Sequence, residues 1–310
     1  MKQQWKIILA FAVIYIVWGT TYLAILFAIK DIPPLLLSAM RFFTAGIVLY
    51  LFCVAKRERR PNLASLVKNM IGGTLMLAGG TMSVAWAEQY LTSGVAAIIV
   101  TAVPFWFVIL DYKQWNSNFS NKILIAGLIT GFVGVALLIG AGTADYHGAV
   151  RTAGRMTGVI VLLAGGIAWT SGSLYAKHAP TGNSILMNSA IQLLFAGLVC
   201  LCASVIAGET RHFSWSHVHT GAWLSFAYLT LFGSILTYIC YLWLLKVRPA
   251  VQVSSYVYIN PIVAMILGAM IGKEAISMFQ ICSLAIILGG VLLINLPKYY
   301  VARARRLSVV

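Results

Sequence analysis

Charge is what this sequence has least of. Only 9% of its 310 residues are Asp, Glu, Lys or Arg, where soluble domains carry about 25%, and that excludes an ordinary soluble enzyme. Catalytic signatures are missing as well. There is no His-Glu-x-x-His and no Gly-x-Ser-x-Gly, so a membrane-embedded hydrolase has no visible machinery. Gly268-Ala-Met-Ile-Gly272-Lys273 looks like a phosphate loop, but its glycines are too close and no Ser or Thr follows the lysine, which argues against ATP-driven pumping. The five cysteines all fall in apolar runs, with Cys200 and Cys202 on different helix faces. Neither a disulfide framework nor a metal site is indicated. The loop histidines His147, His212, His217 and His219 have no fixed frame that would preset one. No cofactor is expected.

What is present is apolar: 61% of the chain, enough for ten helices of about 20 residues each, with short loops and two tails left over. Charges, prolines and polar clusters place the spans near 6 to 29, 34 to 55, 69 to 89, 93 to 111, 122 to 141, 157 to 177, 184 to 206, 220 to 245, 250 to 272 and 277 to 296. The first run is too long for a signal-peptide core and counts as a span. Sixteen of the 22 Lys and Arg residues then fall on the side of both termini, five on the opposite side, and Arg41 inside a span. The positive-inside rule puts both tails in the cytoplasm of a multi-pass cell-membrane protein. The net charge of +15 is thus an orientation code and not a nucleic-acid surface.

The chain reads as doubled. Ser93-Gly-Val-Ala-Ala-Ile-Ile-Val-Thr-Ala-Val-Pro104 parallels Ala250-Val-Gln-Val-Ser-Ser-Tyr-Val-Tyr-Ile-Asn-Pro261, Gly134-Val-Ala-Leu-Leu-Ile139 parallels Gly290-Val-Leu-Leu-Ile294, and Trp18 precedes Trp169 by 151 residues. Five spans per half is an odd number, so the second half has to enter the membrane inverted. Residues 1–145 form a first repeat, 150–298 a second, and 299–310 a basic cytoplasmic tail. The expected fold is an all-α polytopic membrane protein, ten transmembrane helices in two five-helix inverted repeats, an architecture of carriers that alternate access around a central site.

Ionisable groups at depth are functional candidates. Arg41 and Glu88 belong to the outer third of the bilayer, either as a paired gate or substrate-carboxylate and proton site, or as a static ion pair. Pro104 and Pro261 each lack a donor and crowd the carbonyls of Val100 and Val257, so both helices are expected to kink, as hinges, as cavity linings or simply to pack. Trp18 and Trp169 lie near the midplane, where Tyr256, Tyr258 and Asn260 add polar groups that need partners in a neighbouring helix or a wet cavity. Gly127 with Gly131 and Gly268 with Gly272 form small faces for close helix approach, within one subunit or in a homodimer.

Taken in order, Val17-Trp-Gly-Thr-Thr-Tyr22, Ala39-Met-Arg-Phe-Phe-Thr-Ala-Gly46, Trp86-Ala-Glu-Gln-Tyr-Leu-Thr-Ser-Gly-Val-Ala-Ala97, Tyr256-Val-Tyr-Ile-Asn-Pro-Ile-Val-Ala264, Gly272-Lys-Glu274 and Leu288-Gly-Gly-Val-Leu292 resemble the drug/metabolite transporter superfamily, specifically its EamA-type permeases. The resemblance implies two EamA repeats and export of small metabolites, amino acids or drugs. It also implies a cavity between spans one, three, four, six, eight and nine, lined by Trp18, Trp86, Trp169, Tyr238, Tyr258 and Asn260, with Arg41 and Glu88 close by. Lys273 before Glu274 departs from the family pattern. The chain is therefore expected to be a secondary transporter exporting small organic solutes through the bilayer, with protons as possible co-substrates. A passive channel or a membrane scaffold is the alternative.

Overall fold

The computed structural model of the chain describes residues 2–116, 120, 122–141, 152–248, 250–271 and 277–307. Asp145, His147, the expected repeat boundary and the segment 272–274 lie outside them. Among the described residues every regular element is helical. In chain order the helices are α1 (Lys2–Ala28), α2 (Pro34–Ala55), α3 (Leu63–Ala87), α4 (Ser93–Leu110), α5 (Lys122–Ala141), α6 (Thr152–His178), α7 (Ile185–Ile206), α8 (Thr220–Val247), α9 (Tyr256–Met270, preceded by the turn Ala250–Val253) and α10 (Met278–Leu307). Seven of them, α1 to α4 and α6 to α8, are long and apolar enough to cross a membrane. Their outward faces are greasy: Ile206 of α7 is 87% exposed and Leu224 of α8 is 67% exposed. Lipid, not water, suits such a surface.

Two ends of the bundle are defined by bonds between linkers. At one end Ser184 Oγ donates to Glu58 Oε2 at 2.5 Å, Lys68 Nζ to the Pro180 carbonyl at 3.0 Å, and Lys177 Nζ to the carbonyls of Leu245 and Arg248 at 2.8 and 2.5 Å. We call this the basic end. At the other, Glu209 accepts from the backbone N–H groups of Leu35 (3.3 Å) and Leu36 (2.9 Å) and from Ser204 Oγ (2.9 Å). The start of α2 explains that contact. Pro34 opens the helix without an N–H, the next two amides are orphaned, and a carboxylate is the favoured acceptor at a helix N-terminus. Glu209→Ala is expected to lower stability by about 1–3 kcal/mol, read as a lower Tm of the purified protein, with Glu209→Gln intermediate.

Asp31 clips the same end to α8, accepting from the His219 backbone N–H at 2.9 Å and lying 3.0 Å from its Nδ1. That backbone bond, followed by the side-chain bond and the charges of His219 and Lys30, holds the Asp31 carboxyl below its ordinary value. A depressed carboxyl contributes fully above its unfolded pKa of about 4 and loses that contribution as pH falls through the folded one. The protection factor of the His219 amide, its exchange rate relative to the intrinsic rate at each pH, is therefore expected to hold from pH 7 to below pH 4 and to fall at more acid pH.

The linker bonds also fix helix directions. α2 ends, and α7 begins, at the basic end; α3 begins and α8 ends there; α1 leaves the end at which α6 finishes. Packing repeats the pattern. In α2 a Cβ on Gly46 would stand 2.8 Å from the Leu194 backbone N, and in α7 a Cβ on Gly197 would stand 2.9 Å from the Phe43 backbone N. Both members of each contact are shifted by 151 residues. Between α5 and α10, Gly134 meets Ile287 and Gly290 meets Gly131, again reciprocally. Only glycine lets backbones approach this closely. The Gly127 and Gly131 face is thus taken up within the chain, while Gly272, partner of Gly268, lies outside the described residues.

Several boundaries differ from the sequence reading. α3 begins at Leu63, because Asn62 accepts from the Ser65 N–H at 2.8 Å and caps it; Lys68 is carried inside the helix and reaches out to Pro180. α10 runs to Leu307, taking most of the expected tail into a helix rich in Ala and Arg. α4 is broken at Thr101–Ala102, just before Pro104. In the second half the break is at Ser254–Ser255, and Pro261 sits inside continuous helix. There Ser254 Oγ and Ser255 Oγ donate to the carbonyls of Val251 and Gln252, both at 2.8 Å, competing with the helix ladder.

α3 and α8 each contain a π-helical stretch, Thr74–Thr81 and Leu229–Leu236. The two lie 155 residues apart and end alike. Thr81 Oγ1 donates to the Met76 carbonyl at 3.5 Å and Thr237 Oγ1 to Phe232 at 2.6 Å, each reaching five residues back. Such insertions are frequent at functional sites.

Candidate functional site

Both π stretches face one cavity at the centre of the bundle. It has a volume of about 90 Å³ and is lined from α1, α2, α3, α4, α6, α8 and α9. Trp18 of α1 and Trp169 of α6 meet in it edge to face, ring centroids 5.4 Å apart. Tyr241 stands 5.2 Å from Trp18 and 4.9 Å from Trp169, and Tyr256 stands 4.7 Å from Trp18. Edge-on and tilted pairs of this kind are the favoured aromatic contacts. Trp18 Nε1 donates to the Gly233 carbonyl at 3.3 Å, inside the π stretch of α8, where the altered ladder frees backbone acceptors. Gly80, in the matching stretch of α3, packs against Trp169. A side chain there would displace the indole.

Polar groups in and around the cavity are anchored. Asn260, buried, donates from its amide to the carbonyls of Tyr256 and Tyr15 at 3.0 Å each, tying α9 to α1. Tyr15 OH meets Ser255 Oγ at 2.7 Å, at the break before α9. Thr21 Oγ1 bonds back to the Trp18 carbonyl at 2.6 Å. Tyr241 OH pairs with Ser173 Oγ at 2.6 Å.

Arg41 is different. It lines the cavity, is 2% exposed, and its Nε and Nη2 have no hydrogen-bond partner among the described residues. Its guanidinium lies over the Phe42 ring, 4.6 Å from the centroid, and Glu88 acts on it electrostatically. A buried guanidinium with open donors is expensive unless something else binds there. The natural complement of that planar fork is a carboxylate.

The structure thus brings Trp18, Trp169, Tyr238, Asn260 and Arg41 to one cavity. Glu88, 3% exposed, sits behind it, within electrostatic reach of Arg41 and Tyr22. Trp86 is placed elsewhere, paired with Tyr90 at 5.0 Å. Tyr258 packs against the apolar core, and Tyr256, two residues earlier and on another face, takes the cavity position. Pro104 is buried at the break in α4 beside Val103, which lines the cavity; of the Pro261 side chain nothing is described. Thr21, Tyr22, Ser83 and the π stretches also line the cavity and were not singled out by sequence. Gly79-Gly80 and Gly233-Ser234 were the available signal, since glycine relaxes a helix where an insertion must fit.

A multi-pass helical membrane protein with a central, aromatic-walled cavity and a buried cation is a transporter architecture. The chain belongs to the EamA-like transporter family, which matches residues 5–140 and again 156–296. The inner membrane transporter YedA of Escherichia coli (strain K12) is 35% identical over 290 residues, covering 92% of this chain and 89% of its own. The protein named "Probable amino-acid metabolite efflux pump" of Salmonella typhimurium (strain LT2) is 24% identical over 303 residues, covering 95% and 96%. A solved crystal structure 16% identical superposes with a TM-score of 0.66 over 94% of this chain and 97% of its own, a likeness of fold alone. The protein is accordingly a transporter and not an enzyme.

Proposed function

We propose that this transporter is a secondary carrier that exports small organic solutes bearing a carboxylate, such as amino acids, their derivatives or amphipathic metabolites, by alternating access. The observation that carries the reading is Arg41: a buried guanidinium with two unused donor nitrogens in a mainly apolar cavity that holds no other described cation. The carboxylate seats on Arg41, the side chain of the solute lies against Trp18, Trp169 and Tyr256, and Glu88 is the group available to carry a coupling proton. One described cation in the central cavity, with no basic cluster around it, does not suit phosphorylated sugars or nucleotides there.

Ten spans in two inverted five-helix repeats, 1–145 and 150–298, fit this mechanism. Support comes from the double family match, from the opposed directions of α2 with α7 and α3 with α8, from the reciprocal glycine contacts and from π stretches at matching positions. α5, α9 and α10 supply the remaining crossings. The basic end, with Lys56, Arg57, Arg59, Arg60, Lys177 and Lys246, is cytoplasmic by the positive-inside rule, as are both tails.

The test is a panel of amino acids and related acids in proteoliposomes, with and without a pH gradient. Saturable flux with counterflow is expected for at least one carboxylate solute. Flux that neither saturates nor shows counterflow would make the protein a passive channel, and robust sugar-phosphate exchange would overturn the substrate class.

A further inference from the structure

A second cavity, of about 290 Å³, opens at the basic end. Three lysines line it, Lys68, Lys177 and Lys246, together with the amides Asn69, Asn183, Asn188 and Gln192, and among the described residues no Asp or Glu does. Lys68 and Lys177 are held at its rim by bonds to backbone carbonyls, and an ammonium has three donors, so each keeps capacity for an acceptor. Asp111 acts on Lys177 from outside the lining.

The floor of this cavity is a chain of hydrogen bonds. Asn188 Oδ1 accepts from Asn69 Nδ2 at 2.9 Å and from Thr181 Oγ1 at 2.9 Å; Gln192 Nε2 donates to Asn69 Oδ1 at 2.8 Å; Tyr238 OH donates to Gln192 Oε1 at 2.5 Å. Gln192 lines the basic-end cavity and Tyr238 lines the central one. The Tyr238–Gln192 hydrogen bond therefore runs from the wall of one cavity to the wall of the other. The chain's members Asn69, Asn188, Gln192 and Tyr238 come from α3, α7 and α8, and α3 and α8 carry the π stretches, which begin five residues after Asn69 and end two residues before Tyr238. Gly73 makes the junction tight: a Cβ there would stand 2.6 Å from the Gln192 backbone.

We propose that the basic-end cavity is a second solute site, an access vestibule that attracts the carboxylate of an organic acid, and that the Tyr238–Gln192–Asn69 chain is the latch between it and the central cavity. Lysine ammonium groups around a polar, acid-free recess give the vestibule its preference for anions. Parting one hydrogen bond, with the π stretches absorbing the helix shift, passes the solute on to Arg41. The inference rests on the cytoplasmic placement of the basic end and on the central cavity as the solute site.

Thiol accessibility in sealed inside-out vesicles tests this without knowledge of the solute. Asn188→Cys reports on the vestibule and Ser234→Cys on the central cavity, against the parent chain with its five native cysteines. Two impermeant methanethiosulfonates are compared, one with a sulfonate tail and one with a trimethylammonium tail. The anionic reagent is expected to label Asn188→Cys at least tenfold faster than the cationic one, after normalising to a free thiol, and Lys68→Gln is expected to reduce that ratio severalfold. Ser234→Cys is expected to be protected from this face and to become labelled when either Tyr238→Phe or Gln192→Leu breaks the latch; two variants are used so that one failing to insert leaves the test intact. Equal rates for the two reagents at Asn188→Cys would overturn the anion site. Rapid labelling of Ser234→Cys with the latch intact, or protection unchanged in both latch variants, would overturn the latch. Because labelling does not depend on transport, these outcomes separate from a failure of the transport reading, which the solute panel decides.

Discussion

Arg41→Gln is expected to abolish transport of carboxylate solutes while leaving the protein folded. The side chain contributes two open donor nitrogens, Nε and Nη2, inside a cavity where it is 2% exposed. Hydrogen bonds to charged groups contribute about 1.5–3 kcal/mol each, so losing two lowers solute affinity by at least about 100-fold. Removing the charge also relieves a buried cation of its desolvation cost, so folding stability is expected to hold or rise. Arg41→Lys keeps the charge but lacks the planar fork and is expected to recover only part of the affinity. Equilibrium binding and a thermal melt on the same preparations separate the two effects. If Arg41 were a static partner of Glu88, Arg41→Gln would instead lower the melting temperature and leave affinity near wild type.

Trp169→Ala is expected to damage both fold and function. Trp169 is 7% exposed and sits between Trp18, Tyr241 and the Gly80 face of α3. Truncating a buried tryptophan removes about 3–5 kcal/mol, and the hole opens directly into the solute chamber. Trp18→Ala removes the facing ring and the bond to the Gly233 carbonyl; it is expected to cost less stability but to raise the solute concentration needed for half-maximal flux. The phenylalanine replacements are expected to restore most of the stability in both cases. Melting temperatures and flux curves for the four variants check this order.

Much of this arrangement was readable in the sequence because membranes impose blunt rules. Apolar runs of fixed length located the helices, and Trp18 and Trp169, placed near the midplane by counting along their spans, meet at the centre of the bundle. Arg41 stood out as a cation in a span and lies in the cavity. Finer placement was not readable. Tyr256 and Tyr258 are both aromatic and two apart, and helix rotation alone puts one in the cavity and the other in the core. Trp86 was carried to the cavity by resemblance, but its rotation pairs it with Tyr90. The break ahead of α9 falls at Ser254–Ser255 and not at Pro261, because side-chain bonds to the preceding carbonyls compete with the helix locally. The π stretches leave almost no mark in composition beyond paired small residues, and the latch joins three helices whose polar residues, taken singly, look like ordinary helix packing.

The central claim is that a solute carboxylate seats on Arg41, and a double-mutant cycle between protein and ligand tests it most directly. Binding of the strongest carboxylate solute from the panel and of its carboxamide is measured to wild type and to Arg41→Gln. Wild type is expected to favour the acid over the amide by about 100-fold and Arg41→Gln by less than about threefold, a coupling of about 2 kcal/mol or more. Equal discrimination by the two proteins would show that the carboxylate is recognised elsewhere and would contradict the account.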